Sequence, residues 1–348
     1  QNKEELIMNN RTIEDVRKHS NKESPWIIIK DKVYDCTDFI NKHPGGESSI
    51  LMYAGKDCTD DFTAIHSINA WKMLDKYYIG DLVKNSGFAK DEKIKVKLIN
   101  KSILTRDTRL LRFSLPLEDD VLGLPIGNHL YICANIDNKY CMRAYTPISQ
   151  DDDMGFVEFI IKIYFKDENP RFPTGGIMTQ YLESLNIGDT IDIKGPIGHF
   201  IYNGDGNFEI NKEKRYCKYM GLIAGGSGIT PIYQIIKYAI KNNDYSVKFY
   251  ILYANQSPGD IILYNELVKL SKQYKNFINI WFTIDKNPDN IEWNYSTGFI
   301  DENMLKTHMP PDINKDTFIA MCGPPPMIKF ACIPNLLKIG YLEENIII

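Results

Sequence analysis

Tyr219-Met220-Gly221-Leu222-Ile223-Ala224-Gly225-Gly226-Ser227-Gly228-Ile229-Thr230-Pro231 is an apolar run that ends in a glycine cluster and a proline. An apolar run of this length, without polar alternation, reads as a strand buried on both faces. The glycines make a tight turn, and Pro231 suits the first turn of a helix, which continues with helical spacing to Ile240. The alternation then repeats: Val247–Ala254 reads as a strand, Tyr264–Gln273 as a helix, Ile278–Ile284 as a strand and Thr317–Met321 as a strand ending at Cys322-Gly323. Repeated strand–helix units predict an α/β domain over residues 216–348, its parallel sheet covered on both faces. Such sheets bind ligands beyond the carboxyl ends of their strands, where both glycine turns fall.

Upstream the pattern changes. Residues 94–205 carry short strand-like runs at Leu110–Leu115, Leu130–Ala134, Phe156–Phe165 and Thr190–Lys194, separated by turn residues. This spacing predicts an antiparallel β-barrel domain with one helix, Ile177–Ser184. Residues 85–93 are polar, hold Gly87 and read as a linker that lets the flanking domains move. Residues 8–84 form a mixed α+β segment, with a capping-box spacing at Thr12 and Asp15 and apolar runs at Trp26–Ile29 and Val33–Tyr34. The fold class is therefore multidomain.

With 43% hydrophobic residues the chain can fill more than one core. A net charge of −4 without a long run of like charge argues against a nucleic-acid partner. Seven cysteines, singly spaced and odd in number, point to reduced thiols and a cytoplasmic location. No apolar stretch approaches the roughly 18 residues of a membrane span, and no signal peptide is evident. The chain opens at Gln1 rather than Met, so a fragment of something longer is expected.

Two histidines stand out in the first segment. His43 precedes Pro44-Gly45-Gly46, and His66 lies in Asp61-Phe62-Thr63-Ala64-Ile65-His66-Ser67. A lone histidine is more often a packing residue than a ligand. Two neutral imidazoles, however, can fill both axial positions of a haem iron and leave no open site for oxygen, which suits electron transfer. With Trp26, Val33-Tyr34-Asp35, Phe39, Ala54-Gly55 and Ile79-Gly80-Asp81, this segment resembles the cytochrome b5 domain in order and spacing. The resemblance implies haem b, with His43 and His66 as its iron ligands.

In the β segment, Arg143-Ala144-Tyr145-Thr146-Pro147-Ile148-Ser149 follows a strand, and Gly175-Gly176-Ile177-Met178-Thr179 opens the helix. Arginine can fork onto a pyrophosphate, tyrosine offers a flat face, and a helix N-terminus favours phosphate. These residues resemble the FAD domain of the cytochrome b5 reductase and ferredoxin–NADP reductase superfamily. The resemblance implies FAD held by Arg143, Ala144, Tyr145 and Thr146. It implies further contacts from Lys162, Tyr164 and Phe172, the pyrophosphate on Ile177, Met178 and Thr179, and help from Ser227 and Thr230. The position of Ile177 is often basic in animal reductases of this kind, so a charge is missing there.

In the α/β segment, Gly226, Ser227 and Gly228 lie on one turn and Cys322-Gly323-Pro324-Pro325-Pro326-Met327 forms the other. The first turn is not the Rossmann GxGxxG. By resemblance, Gly226, Gly228, Thr230, Cys322, Gly323 and Pro324 border the nicotinamide. Cys322, Lys162 and Thr230 then lie beside the reacting rings, Cys322 orienting the reactants without acting as a nucleophile. Asp260 follows the next strand and can accept from a free ribose 2′-hydroxyl while repelling a 2′-phosphate, which favours NADH.

The order haem, FAD, NADH resembles the carboxyl-terminal half of eukaryotic assimilatory nitrate reductase. Asp61–Ser67, Val121-Leu122-Gly123-Leu124-Pro125-Ile126-Gly127 and Cys141-Met142-Arg143-Ala144-Tyr145-Thr146-Pro147 carry this resemblance from about Thr12 to the end. That family's molybdenum-cofactor domain is absent from these residues. The terminal Ile346-Ile347-Ile348 replaces its usual closing aromatic. The implied activity is electron transfer from NADH through FAD to haem b and on to an acceptor. The acceptor is a molybdenum-cofactor domain or, for a free-standing fusion, a desaturase, a hydroxylase or another haem or iron enzyme. A haem sensor with an inert flavin half is the third reading.

Overall fold

The computed structural model describes residues 10–83, 93–168, 170 and 172–348. The chain divides into two compact units, residues 1–86 and 87–348. Residues 8, 9 and 84 of the expected first domain and 85–92 of the expected linker lie outside the described residues.

The first unit is built on a four-stranded sheet of order β1-β4-β3-β2. Its strands are β1 (Asn10–Thr12), β2 (Trp26–Ile29), β3 (Lys32–Asp35) and β4 (Tyr78–Val83). Successive side chains of β2 alternate between faces. Ile28 packs with Val16 and Val33 on one side. Ile27 and Ile29 face Cys36, Ile40, Ile50, Cys58 and Leu74 on the other. Helix α1 (Ile13–Lys18) starts at a true capping box: Asp15 N–H donates to Thr12 Oγ1 at 3.1 Å and Thr12 N–H to Asp15 Oδ2 at 3.1 Å. Three short helices stand over the second face: α2 (Glu47–Leu51), α3 (Thr59–Ile65) and α4 (Ile68–Leu74). Sequence patterning did not show these three, because each has at most two turns and none presents a closed apolar stripe.

The second unit opens with an antiparallel, curled sheet of order β8-β7-β10-β5-β6-β9. It comprises β5 (Lys93–Thr105), β6 (Thr108–Ser114), β7 (His129–Ile136), β8 (Lys139–Tyr145), β9 (Phe156–Lys162) and β10 (Thr190–Ile197). Lys93, expected in the linker, is already the first residue of β5. Helix α5 spans Ile177–Ser184 as expected and sends Met178 and Leu182 into the core with Leu98, Phe113 and Phe159.

A meander of β11 (Phe200–Gly204), β12 (Asn207–Ile210) and β13 (Glu213–Tyr216) occupies a stretch the pattern reading left partly blank. Its Phe200, Tyr202 and Phe208 enter the core of the parallel sheet that comes after it in the chain. The Tyr202 hydroxyl donates to buried Asp244, and Gly127 N–H donates to Gln234 Oε1 at 2.8 Å. These ties join the meander, and the loop before β7, to the segment that carries the parallel sheet.

The parallel sheet has the order β17-β16-β15-β14-β18-β19. Its strands are β14 (Tyr219–Gly225), β15 (Lys248–Asn255), β16 (Ile278–Ile284), β17 (Ser296–Thr297), β18 (Thr317–Cys322) and β19 (Ile346–Ile347). Helices α6 (Ile229–Lys241) and α7 (Tyr264–Gln273) pack on one face. Helices α8 (Glu302–His308) and α9 (Ile333–Ile339), absent from the sequence reading, pack on the other. After β14 the chain adds strands on one side and then, with β18, on the other. The topological switch point therefore lies between β14 and β18, where an α/β sheet opens its binding crevice. No helix among the described residues is long and apolar enough to cross a membrane. Thr12→Ala is expected to lower the stability of the first unit by about 1 kcal/mol, read from its urea midpoint.

Candidate functional site

The two histidines face one another. His43 follows a 3-10 turn, Ile40–Lys42, and His66 caps the end of α3. Their ring centres are 6.0 Å apart. Metal–imidazole nitrogen bonds run to about 2.0–2.1 Å, so one metal between two imidazoles sets their ring centres roughly 6 Å apart. His43 Nδ1 lies 3.0 Å from the Gly46 carbonyl oxygen and His66 Nδ1 lies 3.2 Å from that of Phe62. A carbonyl only accepts, so each Nδ1 is the donor and, in the neutral ring, Nε2 carries the lone pair. That is the tautomer a metal needs, already oriented by a backbone partner. A Cβ on Gly45 would stand 2.9 Å from His43 Cε1, so glycine gives the ring its room. Phe62 stacks on His66 with ring centres 4.0 Å apart, and Phe39 meets His43 edge-on. Around them is a mainly apolar cavity of about 620 Å³, floored by Ile27, Ile50, Cys58 and Leu74. These residues fit a haem with two axial imidazoles.

On the curled sheet, β8 is an edge strand that ends at Tyr145, with Arg143 and Ala144 exposed. Arg143 Nη1 donates to its neighbour's carbonyl oxygen at 2.9 Å, leaving the rest of the fork outward. Tyr145 is half-buried against Phe159, and burial pushes its phenol well above the ordinary range. Across from them, Tyr164, Phe172 and Ile177 are 51%, 66% and 55% exposed and gather at the start of α5. Large apolar side chains left open beside an arginine fit a flat ring with an anionic tail. A Cβ on Gly175 would fall 2.5 Å from the Tyr164 carbonyl oxygen, so the helix start is pressed against the strand end. Met178 and Thr179 turn their side chains inward. Thr179 Oγ1 donates to the Gly176 carbonyl oxygen and accepts from Tyr164 N–H. What the first turn offers a phosphate is backbone N–H.

The third site lies at the switch point. Ala224 of β14 pairs with Cys322 of β18, bringing the two turns side by side. A Cβ on Gly228 would lie 2.1 Å from the Cys322 carbonyl oxygen, and one on Gly225 would meet Pro324 and Met327. Gly226 has φ +54° with open space around it, so its glycine answers to backbone conformation alone. The Tyr253 hydroxyl donates to the Gly226 carbonyl oxygen at 2.9 Å, and Thr230 Oγ1 to that of Ser227 at 3.2 Å. Ser227 and Pro324 are exposed, and Gly323 is partly so. Burial raises the Cys322 thiol, which keeps it neutral near pH 7 and argues against a nucleophile.

Comparison with known proteins matches all three regions. Residues 12–83 match a family model described as a cytochrome b5-like haem/steroid binding domain. Residues 95–202 match an oxidoreductase FAD-binding domain, and residues 222–333 an oxidoreductase NAD-binding domain. The cytochrome b5 reductase domain of Ulva prolifera nitrate reductase is 38% identical, with a TM-score of 0.71 over 75% of this chain and 98% of that one. The chain belongs to the nitrate reductase family. Nitrate reductase (NADH) 1 of Phaseolus vulgaris is 44% identical over 96% of the chain, and that of Zea mays 45% identical over 96%. The chain spans 41% and 59% of those two proteins. It is an NADH-dependent oxidoreductase of the cytochrome b5 reductase type, preceded by a haem-binding cytochrome b5 domain.

Thr146 follows the end of β8 and is partly buried, while two further expected residues lie outside the three places described. Lys162 ends β9 on the curled sheet, and Asp260 sits in a 3-10 turn after β15, yet their side chains meet in an ion pair of 3.0 Å. Asp260 also accepts from Ser257 Oγ at 2.6 Å. Burial works against both charges, but the pairing wins: Lys162 is held above, and Asp260 below, the ordinary range. A third member, Asp107, was missed; it stands 3.2 Å from Lys162 and no local motif marks it. The cavity around the two histidines also has walls in Tyr77 and Met73 that the sequence did not single out, beyond their aromatic or apolar character.

The interlocked turns leave no space for a methyl group. Gly228→Ala is expected to slow flavin reduction by NADH about hundredfold in stopped flow, with flavin still bound. Cys322 is expected to react with iodoacetamide at pH 7.5 more slowly than free cysteine, read by peptide mass spectrometry.

Proposed function

We propose that the chain passes electrons from NADH through FAD to a haem b ligated by His43 and His66, and from there to the nitrate-reducing centre of a nitrate reductase. The observation that carries this reading is the pair of imidazoles with ring centres 6.0 Å apart, each with Nδ1 held by a backbone carbonyl oxygen. A reductase without a haem step has no use for such a cavity. FAD, when bound, supplies the conversion between a hydride and single electrons. The protein residues bind, aim and exclude.

Arg143 and the N–H groups of Ile177, Met178 and Thr179 take the pyrophosphate of FAD. Ala144, Tyr145, Thr146, Tyr164 and Phe172 bound its ring system, with Lys162 beside it. The turns at Gly226–Gly228 and Cys322–Pro324 form the floor against which the nicotinamide lies. Ser227 and Thr230 close one side of that floor, and the neutral Cys322 thiol sets the ring's approach. Asp260 receives the adenosine ribose hydroxyls. The acceptor is a molybdenum-cofactor domain, and the polypeptide works in the cytoplasm.

Addition of NADH without oxygen to the protein reconstituted with FAD and haem is expected to convert the haem spectrum from ferric to ferrous. A haem that stays ferric removes the proposal. His43→Ala and His66→Ala are each expected to abolish haem reduction while NADH–ferricyanide activity stays within about twofold. Loss of both activities together contradicts the order of transfer.

A further inference from the structure

Lys162 is a cation with two anionic neighbours from different parts of the second unit. Asp107 comes from the turn joining β5 and β6, and Asp260 from the turn after β15. Asp107 Oδ2 stands 3.2 Å from the ammonium and Asp260 Oδ1 3.0 Å from it. The three side chains are 11%, 18% and 26% exposed for Asp107, Lys162 and Asp260. Interactions in such a place are screened far less than at an open surface. Two carboxylates against one ammonium leave a net charge of −1.

That charge balance bears on the nucleotide. An isolated Lys162–Asp260 pair would be neutral, and its ammonium would be free to turn toward a phosphate. Asp107 holds the ammonium from the side of the curled sheet. With it in place, the Asp260 carboxylate keeps an uncompensated negative field toward whatever approaches the turn after β15. The other oxygen of Asp107 accepts from Thr105 Oγ1 at 3.1 Å and Thr108 Oγ1 at 3.3 Å, so the carboxylate is fixed by its own turn.

We infer that Asp107 is a second determinant of selectivity for NADH over NADPH: it occupies Lys162, which would otherwise neutralise Asp260 and receive a 2′-phosphate. This rests on the reading that the adenosine ribose lies at Asp260. Asp107 is too buried to touch the nucleotide and acts as a positioning residue through Lys162.

The test measures kcat and KM for NADH and NADPH with ferricyanide on the flavin-loaded full chain. Asp107→Asn keeps an oxygen for the two threonine hydroxyls and removes only the charge. It is expected to lower the NADH/NADPH ratio of kcat/KM by about tenfold or more, through a lower KM for NADPH with kcat within about twofold. Asp107→Glu is expected to restore most of the selectivity. In a Lys162→Met background, Asp107→Asn is expected to shift the ratio by less than about twofold, since its route is gone. Lys162→Met alone leaves two carboxylates and is expected to move selectivity the other way, toward NADH, a result that does not depend on how Asp107→Asn folds. A ratio unchanged by Asp107→Asn, or a Lys162→Met protein that uses NADPH better, overturns the inference. Asp260→Asn separates the two levels: if it leaves selectivity unchanged, the ribose reading itself fails, whereas if it relaxes selectivity and Asp107→Asn does not, only the role of Asp107 is lost.

Discussion

The contact on which the second unit depends is between a missing methyl group and a carbonyl oxygen. Where residue 228 would carry its Cβ, the Cys322 carbonyl oxygen already sits, 2.1 Å from that point. Only glycine lets the ends of β14 and β18 close to this distance. The consequences spread from there. Gly225 and Gly323 pack against Met327 for the same reason, and a π-helical turn, Met327–Cys332, begins where the second loop ends. Such turns are uncommon and recur at functional sites. The crevice is therefore a product of backbone approach, with side chains added at its rim.

The first unit solves a different problem. Helices α2, α3 and α4 are five to seven residues long, and α3 buries none of its own residues. Helices this short are marginal in water and draw their stability from packing. Here the packing partner on one side is a cavity of about 620 Å³. Ile65, on its wall, remains 77% exposed. A haem held by His43 and His66, as proposed, would cover the apolar walls of this cavity. Binding of such a group would then stabilise the unit, since whatever binds only the folded form stabilises it.

How much of the molecule is legible in its sequence depends on how local each feature is. The bounds of α5, α7, β2 and β16 came out of periodicity alone, because each is long or apolar enough to show its own pattern. The capping box at Thr12 and Asp15 was legible for the same reason. The histidines, the arginine strand end and both glycine turns were legible as spaced chemistry. The small helices beside the histidine cavity were not, since at five to seven residues each is too short to show a period. The meander from Phe200 to Tyr216 was missed because its partners, Phe318 and Asp244, lie far along the chain. Met178 and Thr179 lie in the first turn of α5 as expected, but which of their groups face outward required the packing of α5 to be known.

The Lys162–Asp260 pair shows the limit most clearly. Read singly, one residue belonged to the flavin and the other to the ribose. Joined, they tie β9 of the curled sheet to the loop after β15, and Ser257 pins the carboxylate from behind. Desolvation alone would disfavour both charges, and a buried pair gains only where extra hydrogen bonds satisfy it. Ser257 and Asp107 meet that requirement, one on each side. The result is a rigid polar bridge next to a crevice otherwise made of glycine backbone, proline and a neutral thiol. In such surroundings the sign of that bridge sets the local field, and its composition of two acids and one base makes that sign negative.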